Sequence, residues 1–594
     1  MNTERFQLKF KHQLLILVFL AFAINANTLF HEYVLDDVIV LTENKFVKKG
    51  LQGIPELLSQ SYFKGYEKLE NLEFSGGRYR PIALISFAIE YQFFGANPII
   101  SHLINVLLYT IVVALLFGLL YRYVFREQHK LLAFVACLVF VVHPIHTEVI
   151  ANVKSRDELI TFILVLVALI FFIRHFNYRN LSQMMIGLVC FFLALLTRES
   201  SITLIGVVPV ILYYFYNQSL KRAIQYIIPM IAVLVVYLLI RFSIVDNNSH
   251  FINDITNSPF LNASPYQAFA TKIFLLVKYM WLLIFPYSLS FEYGYNQIPY
   301  IDFLSFKFIF SILIVFSLIG LIIVQFKKKS IFSFSILYFF ITISLVSNFV
   351  IDIGTPLSER LLFQPSLAFC IIVGSFYCIN LKRYRIASNS VLISVLLLFT
   401  LKAIYRNMDW KNYETLVLTD VKTAPNSVRI NQFAMNIFLS KSNQENNQEK
   451  KNEYLKEGAL YGEQMLKICP DVVDVYTNLG YVYYNLNNYE KASELWLKGC
   501  EVLAKKEDAS KSAEIFSNEL YRLGNGFSEK NKIIDAIVCY RKSTELNPAN
   551  TEAWYNLGGD CFLLNDSLHG NEAWHNVMKL SPNHILRIDD FKND

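Results

Sequence analysis

Residues 13–37 read "QLLILVFLAFAINANTLFHEYVLDD". An apolar run is closed by Asn25 and Asn27, and the adjacent carboxylates Asp36 and Asp37 follow a few residues later. The run could be the hydrophobic part of a secretory leader. No small-residue cleavage site follows it, however, and asparagines suit a helix that ends at a polar surface. The stretch therefore reads as an uncleaved first membrane helix that delivers two carboxylates to the membrane edge.

The same pattern repeats downstream. Of the 594 residues, 54% are hydrophobic, with 50 Phe and 35 Tyr, well above the apolar share of a soluble protein. Apolar blocks recur from residue 13 to about 405, most of them long enough to cross about 30 Å of hydrocarbon as helix. Beyond that point the chain turns polar. The expected organisation is a membrane domain over 1–405, with a first external loop at 31–100, and a soluble domain over 406–594.

The net charge of +6 matters less than its distribution. Basic clusters fall between alternate apolar blocks: Arg5, Lys9 and Lys11; Arg126 and Lys130; Arg174 and Arg179; Lys221 and Arg222; Lys327, Lys328 and Lys329; Lys382, Arg383 and Arg385. The positive-inside rule makes these cytoplasmic, and no nucleic-acid patch is read in them. The expected spans are 13–29, 103–124, 131–143, 158–174, 184–198, 201–217, 224–242, 303–326, 331–350, 364–380 and 386–405, about eleven crossings. The N-terminus is then cytoplasmic, with the tail and the active site on the periplasmic or luminal side. The apolar segment 270–291 breaks this parity and reads as re-entrant or lying along the surface.

The tail carries a repeat. Leu479-Gly480, Leu523-Gly524 and Leu557-Gly558 are preceded three residues earlier by Tyr476, Leu520 and Trp554 and followed by Trp496, Tyr540 and Trp574. Pro548 and Pro582 close the last two units. Glycine admits close helix approach and large side chains fill the gap, which is the tetratricopeptide (TPR) helix pair. A weaker unit from Pro425 to Pro470 brings the array to about four repeats. "SKSNQENNQEKKNE" (440–453) and "KKEDASKSAE" (505–514) read as polar insertions. The array suits peptide docking, or a rigid spacer. The eight cysteines show no metal-ligand spacing and read as small buried hydrophobes.

Ionisable residues close to the membrane are costly and mark function by default. They gather in the external loops "HPIHTEVIANVKSRDEL" (143–159), "TRESS" (197–201) and "GTPLSERLLFQPS" (354–366), on the face where Asp36 and Asp37 emerge. A carboxylate base at that edge, with Arg80, Arg156, Arg198 and Arg360 beside it, suits glycosyl transfer from a lipid-phosphate sugar. Arginine grips phosphate bidentately and stays charged. Each piece also has an ordinary reading: a solvated loop for the aspartates, and interfacial or helix-end charges for Arg156-Asp157, Arg198-Glu199 and Glu359-Arg360. His143, His146 and Glu148 could ligate a metal, but Pro144 disturbs the helical spacing and no fourth ligand is fixed.

Taken in order, "LDD", "GLQGIPELL", "YRPIALISFAIEYQFFGANPIISHLINVLLY", "HPIHTEVIANVKSRDELI", "LLTRES", "FPYSLSFEY" and "LSERLLFQPS", followed by TPRs, resemble the transmembrane and tetratricopeptide-repeat (TMTC-like) O-mannosyltransferases of the GT-C glycosyltransferase superfamily. The resemblance covers essentially the whole chain. It implies an all-α polytopic GT-C membrane fold with a C-terminal TPR α-solenoid. It also implies a polyprenyl- or dolichyl-phosphate sugar donor, typically mannose, and protein Ser/Thr acceptors. It implies Asp36 or Asp37 as the catalytic base. Tyr79, Arg80, Pro81, His102, Asn105, His143, Pro144, His146, Glu148, Arg156, Glu359 and Arg360 match the family's motifs. The family's Lys-Glu appears as Arg198-Glu199 and its late-loop Asp-Tyr as Glu292-Tyr293. The short TPR array departs most and puts the acceptor in doubt. The alternatives are a GT-C transferase with a glycan or lipid acceptor, and a membrane-anchored TPR scaffold without activity. A transporter is disfavoured because the membrane halves show no repeat. No cofactor is expected beyond the donor lipid itself.

Overall fold

A computed structural model describes residues 9–66, 77–245, 258–381, 383–505 and 510–582. Arg5, Lys382, part of the first external loop (67–76) and part of the second tail insertion (506–509) lie outside the described residues. The described residues form helices and turns, with a single isolated β-bridge between Asn44 and Tyr66. The chain divides into two units, Met1–Ala424 and Pro425–Asp594.

Among the described residues of the first unit, seven helical segments are long and apolar enough to cross a membrane: Phe10–Phe30, Pro98–Val124, Val153–Tyr178, Leu220–Ile244, Pro265–Ile284, Phe306–Phe326 and Arg385–Asp409. The pair Lys130–Val142 and Pro144–Ala151, bent by 55°, raises the number to 8 if counted as one broken span. Pro144 supplies the break, since proline cannot continue the helical ladder. The expected spans near 184–198, 201–217, 331–350 and 364–380 are shorter apolar helices, Leu181–Thr197, Glu199–Phe215, Ile331–Ser344 and Ser366–Leu381. At 1.5 Å per residue, helices of this size fall short of about 30 Å of hydrocarbon.

The Pro265–Ile284 helix occupies the segment that broke the parity. Loops flank it along its length. Gln267 donates to Asp302 (2.9 Å) and Lys272 pairs with Asp352 (2.9 Å) near one end. Tyr279 Oη accepts from the Ser358 backbone (3.1 Å), and Leu283 carbonyl bonds His143 (3.0 Å) near the other.

The first helix is part of the core: Leu17 and Ala21 are fully buried. Its exit is tied to the last long helix. Asn407 Nδ2 donates to the Ile24 carbonyl (3.1 Å) and to Asn27 Oδ1 (3.0 Å), and Asn27 Nδ2 returns a bond to the Ile404 carbonyl (3.2 Å). Asn407, and Asn25 through its bond to the Ala21 carbonyl (2.9 Å), thus satisfy open carbonyls at the end of the first helix, while Asn27 ties that end to the last long helix. After Arg385–Asp409, Arg406 forms a buried fork with Asp420 (Nη2–Oδ2 2.8 Å), on the Tyr413–Thr423 helix.

The second unit holds four helix pairs: Val428–Gln444 with Gln448–Ile468, Val473–Asn485 with Tyr489–Leu503, Ser510–Glu529 with Ile533–Leu546, and Thr551–Leu563 with Ser567–Leu580. The first expected insertion, 440–453, is mostly helix. Asn447 caps the second helix by accepting from the Glu449 and Lys450 backbones, so a three-residue turn (445–447) suffices. Those polar residues are a solvated helix face.

Candidate functional site

Asp36 and Asp37 have opposite environments. Leu35, just before them, takes a left-handed conformation (φ 51°), which turns the chain sharply. Asp37 is fully buried. Its carboxylate accepts from the Val34 backbone N–H (2.9 Å) and, with the other oxygen, from the Lys154 backbone N–H (2.7 Å). Burial outweighs these two bonds and raises its pKa to about 7. Asp37 therefore joins the first external loop to the 153–155 turn. The Asp36 side chain is 47% exposed, and Lys154 Nζ lies 3.3 Å from its Oδ2. Burial alone would raise the Asp36 pKa. Lys154 and Arg360 outweigh it and hold the carboxyl below its usual range.

Beside these residues lies a cavity of about 140 Å³. Its wall carries Arg78, Arg80, Lys154, Arg198, Arg241 and Arg360 against Glu199 and Asp352. Leu345, Val346, Ile351, Ile353 and Leu361 form an apolar side, and Ile351 is 53% exposed. Arg80 pairs with Asp157 (2.9 Å) and Glu199 (2.9 Å). Arg198 pairs with the same Asp157 oxygen (2.8 Å) and with Glu158 (3.0 Å). Arg360 contacts Glu148 twice, through its backbone N–H (2.9 Å) and its guanidinium (3.1 Å). Buried charges survive only when paired in this way. Among the described residues Arg78 has no carboxylate in ion-pair range, and its guanidinium lies over the Phe63 ring (5.6 Å). Burial and the neighbouring Arg80 push its pKa down to about 10.

The other residues read from the sequence do not line this cavity. Arg156 is fully buried and salt-bridged to Glu90 (2.6 Å), and bonds Asn105 Oδ1 (2.9 Å) and the Ser101 carbonyl (3.2 Å). It braces the Pro81–Phe94, Pro98–Leu119 and Arg156–Tyr178 helices. His102 is buried beside His31, their ring centroids 5.8 Å apart. His146 bonds Ser366 (2.8 Å) and Tyr109 (3.3 Å). His143 contacts Leu283 as above, so both rings are committed to packing. Among the described residues no three His, Cys, Asp or Glu side chains converge as a metal-ligand set. Glu359, next to Arg360, accepts from the Ser290 backbone N–H (2.6 Å) and the Tyr293 hydroxyl (2.7 Å). Burial raises its pKa to about 8. Of the late-loop pair it is Tyr293 that reaches Glu359. Tyr79 donates to the Leu58 carbonyl (2.7 Å).

Arg78, Lys154, Arg241 and Asp352 were missed by motif reading. Only Arg78 and Lys154 carried a usable signal, as extra cations two positions before Arg80 and Arg156.

Fold and site together define a polytopic helical membrane protein that bears a TPR solenoid and gathers cations beside a half-exposed carboxylate. Comparison with known proteins shows what a chain of this class is similar to. The tetratricopeptide-repeat family model matches residues 473–501. The chain is 24% identical to human protein O-mannosyl-transferase TMTC3 over 94% of its own length and 63% of that protein's. It is 22% identical to Drosophila melanogaster protein O-mannosyl-transferase Tmtc3, over 90% of the chain and 64% of the relative. It is 25% identical to human protein O-mannosyl-transferase TMTC1, over 76% and 54%. The resemblance to the TMTC-like family is borne out. The chain spans about three fifths of the length of the TMTC3 relatives it matches.

Proposed function

We propose that this protein is an inverting GT-C glycosyltransferase. It moves a hexose, mannose on the names of its relatives, from a polyprenyl- or dolichyl-phosphate donor to Ser/Thr hydroxyls of proteins at the outer face of the membrane. The observation that carries this reading is the half-exposed Asp36 beside a cavity with six cations on one side and an apolar wall on the other. A lipid phosphate needs both sides: guanidinium groups for its oxygens and apolar surface for its chain. In the transfer, Asp36 accepts the proton of the acceptor hydroxyl. The hydroxyl oxygen bonds to the anomeric carbon from one face as the bond from that carbon to the phosphate oxygen breaks on the other. One displacement with one base inverts the centre. Arg78, Arg198 and Arg360 are placed to stabilise the charge that develops on the departing lipid phosphate. The TPR unit is suited to hold the acceptor polypeptide.

The test is incubation of purified protein with radiolabelled polyprenyl-phosphate mannose or glucose and Ser/Thr peptides. Label should enter peptide from mannose. Asp36→Asn should lower the rate by at least 10²-fold, the low end of a general base's contribution, and Asp37→Asn should act mainly through stability. Full activity of Asp36→Asn overturns the base assignment. Label appearing only in added glycan or lipid moves the acceptor to that class.

A further inference from the structure

Lys154 is the wall cation whose partner is the reactive carboxylate. Arg80, Arg198 and Arg360 each have a carboxylate other than Asp36, in Asp157, Glu199, Glu158 or Glu148. The Lys154 ammonium instead meets Asp36 at 3.3 Å, while its side chain is only 3% exposed and lines the cavity. Its backbone is pinned by Asp37 (2.7 Å), so the root is fixed and the ammonium sits at the end of a four-carbon stem with several rotatable bonds. Asp36 is faced by Lys154, Arg360 and Arg78 as cations, and by the Asp37 carboxyl and the Tyr62 hydroxyl.

We propose that Lys154 is a positioning residue that couples donor binding to the base: a phosphate in the cavity draws its ammonium from Asp36 and leaves that carboxylate free to take the acceptor proton. One ammonium cannot fully neutralise both anions. The donor's phosphodiester on the arginine wall offers two charged oxygens, as many as Asp36, and the departing lipid monoester offers three, so each competes with Asp36 for the ammonium. The base is thereby restrained by Lys154 until the donor's phosphate is in place. This inference rests on the donor-phosphate reading above, and the experiment separates the two.

Farnesyl phosphate binding to the full-length protein is measured by calorimetry for wild type, Lys154→Gln and Lys154→Arg. The acidic limb of the pH–rate profile is recorded for kcat/KM of the donor and for kcat. Wild type should bind farnesyl phosphate. Lys154→Gln should bind it about tenfold more weakly, the loss of one charge-assisted contact, and Lys154→Arg should recover most of that loss. Removing Lys154 should raise the limb of kcat/KM, which reports the free enzyme, by about one pH unit. The limb of kcat, which reports the donor complex, should stay in place. Equal movement of both limbs, or of neither, overturns the coupling while leaving the donor site intact. If wild type does not bind farnesyl phosphate, the donor-phosphate reading falls and the inference with it.

Discussion

Two neighbouring aspartates, one buried and one half exposed, show how much a single residue's environment decides. Their adjacency and their place at the membrane edge were legible in "VLDD". Which of them is exposed and paired with a cation of the cavity wall was not. That depends on the left-handed turn at Leu35 and on Lys154, which arrives from a distant part of the chain. Glu359 was legible as a partner of Arg360, but not as a carboxyl gripped by Ser290 and Tyr293. Its environment has a consequence for stability. Arg406 favours its charged form, while Glu148 and burial oppose it, and burial dominates. Its folded pKa of about 8 lies above the ordinary 4.5. Between these values the folded protein holds a proton that the unfolded chain has released. Stability contributed by this site therefore falls as pH rises from about 4.5 to about 8 and is level above. Glu359→Gln keeps the accepting oxygen and removes the titration. Thermal melting in detergent across pH 5–9 should show wild type losing stability relative to the variant through this window, by at most about 1.4 kcal/mol per pH unit. Parallel curves would rule out a raised Glu359 pKa.

At the scale of elements, the TPR pairs were the most legible part, because each repeat encodes its own packing. A Cβ added at Gly480, Gly524 or Gly558 would run into Trp496, Tyr540 or Trp574, the aromatic residue read from each repeat. The 440–453 stretch was misread because polar residues alone do not separate a loop from the wet face of a helix, and the Asn447 cap decides it. The brace of Arg156 was also hidden, since its partner Glu90 sits in an otherwise apolar helix. Gly480→Ala should lower the stability of the TPR unit by about 1–3 kcal/mol through overpacking against a Trp496 that is fully buried and donates to the Thr477 carbonyl (3.0 Å). Chemical denaturation followed by tryptophan fluorescence checks this. An unchanged midpoint would mean the helix pair separates without cost.

For the whole molecule, the issue is parity. Charge clusters order the membrane segments, but only helix length and contacts say which segments cross. Everything turns on Pro265–Ile284. Its 20 residues span about 30 Å, enough to cross, and its composition permits it. Crossing would put its two ends on opposite sides and change the side of every later segment. Its contacts argue otherwise: Gln267 near its start bonds Asp302, in the loop that leaves its other end, and Lys272 and Tyr279, about 10 Å apart along the helix, reach Asp352 and Ser358 in one later loop. We therefore expect both ends on the same side. Ser264 and Tyr287 flank the helix and are exposed, Tyr287 at 82%. Ala96, in the first external loop, and Asn217, beside the Lys221 and Arg222 cluster, are exposed reference points for the two sides. Single cysteines at these four positions, in a background lacking the eight native cysteines, can be labelled in sealed vesicles with an impermeant maleimide. Ser264→Cys and Tyr287→Cys should label with Ala96→Cys, and Asn217→Cys should label only after the vesicles are opened. If Ser264→Cys and Tyr287→Cys label from opposite sides, the helix is a true crossing. The segments after it then reverse, and with them the side expected for residues 425–594.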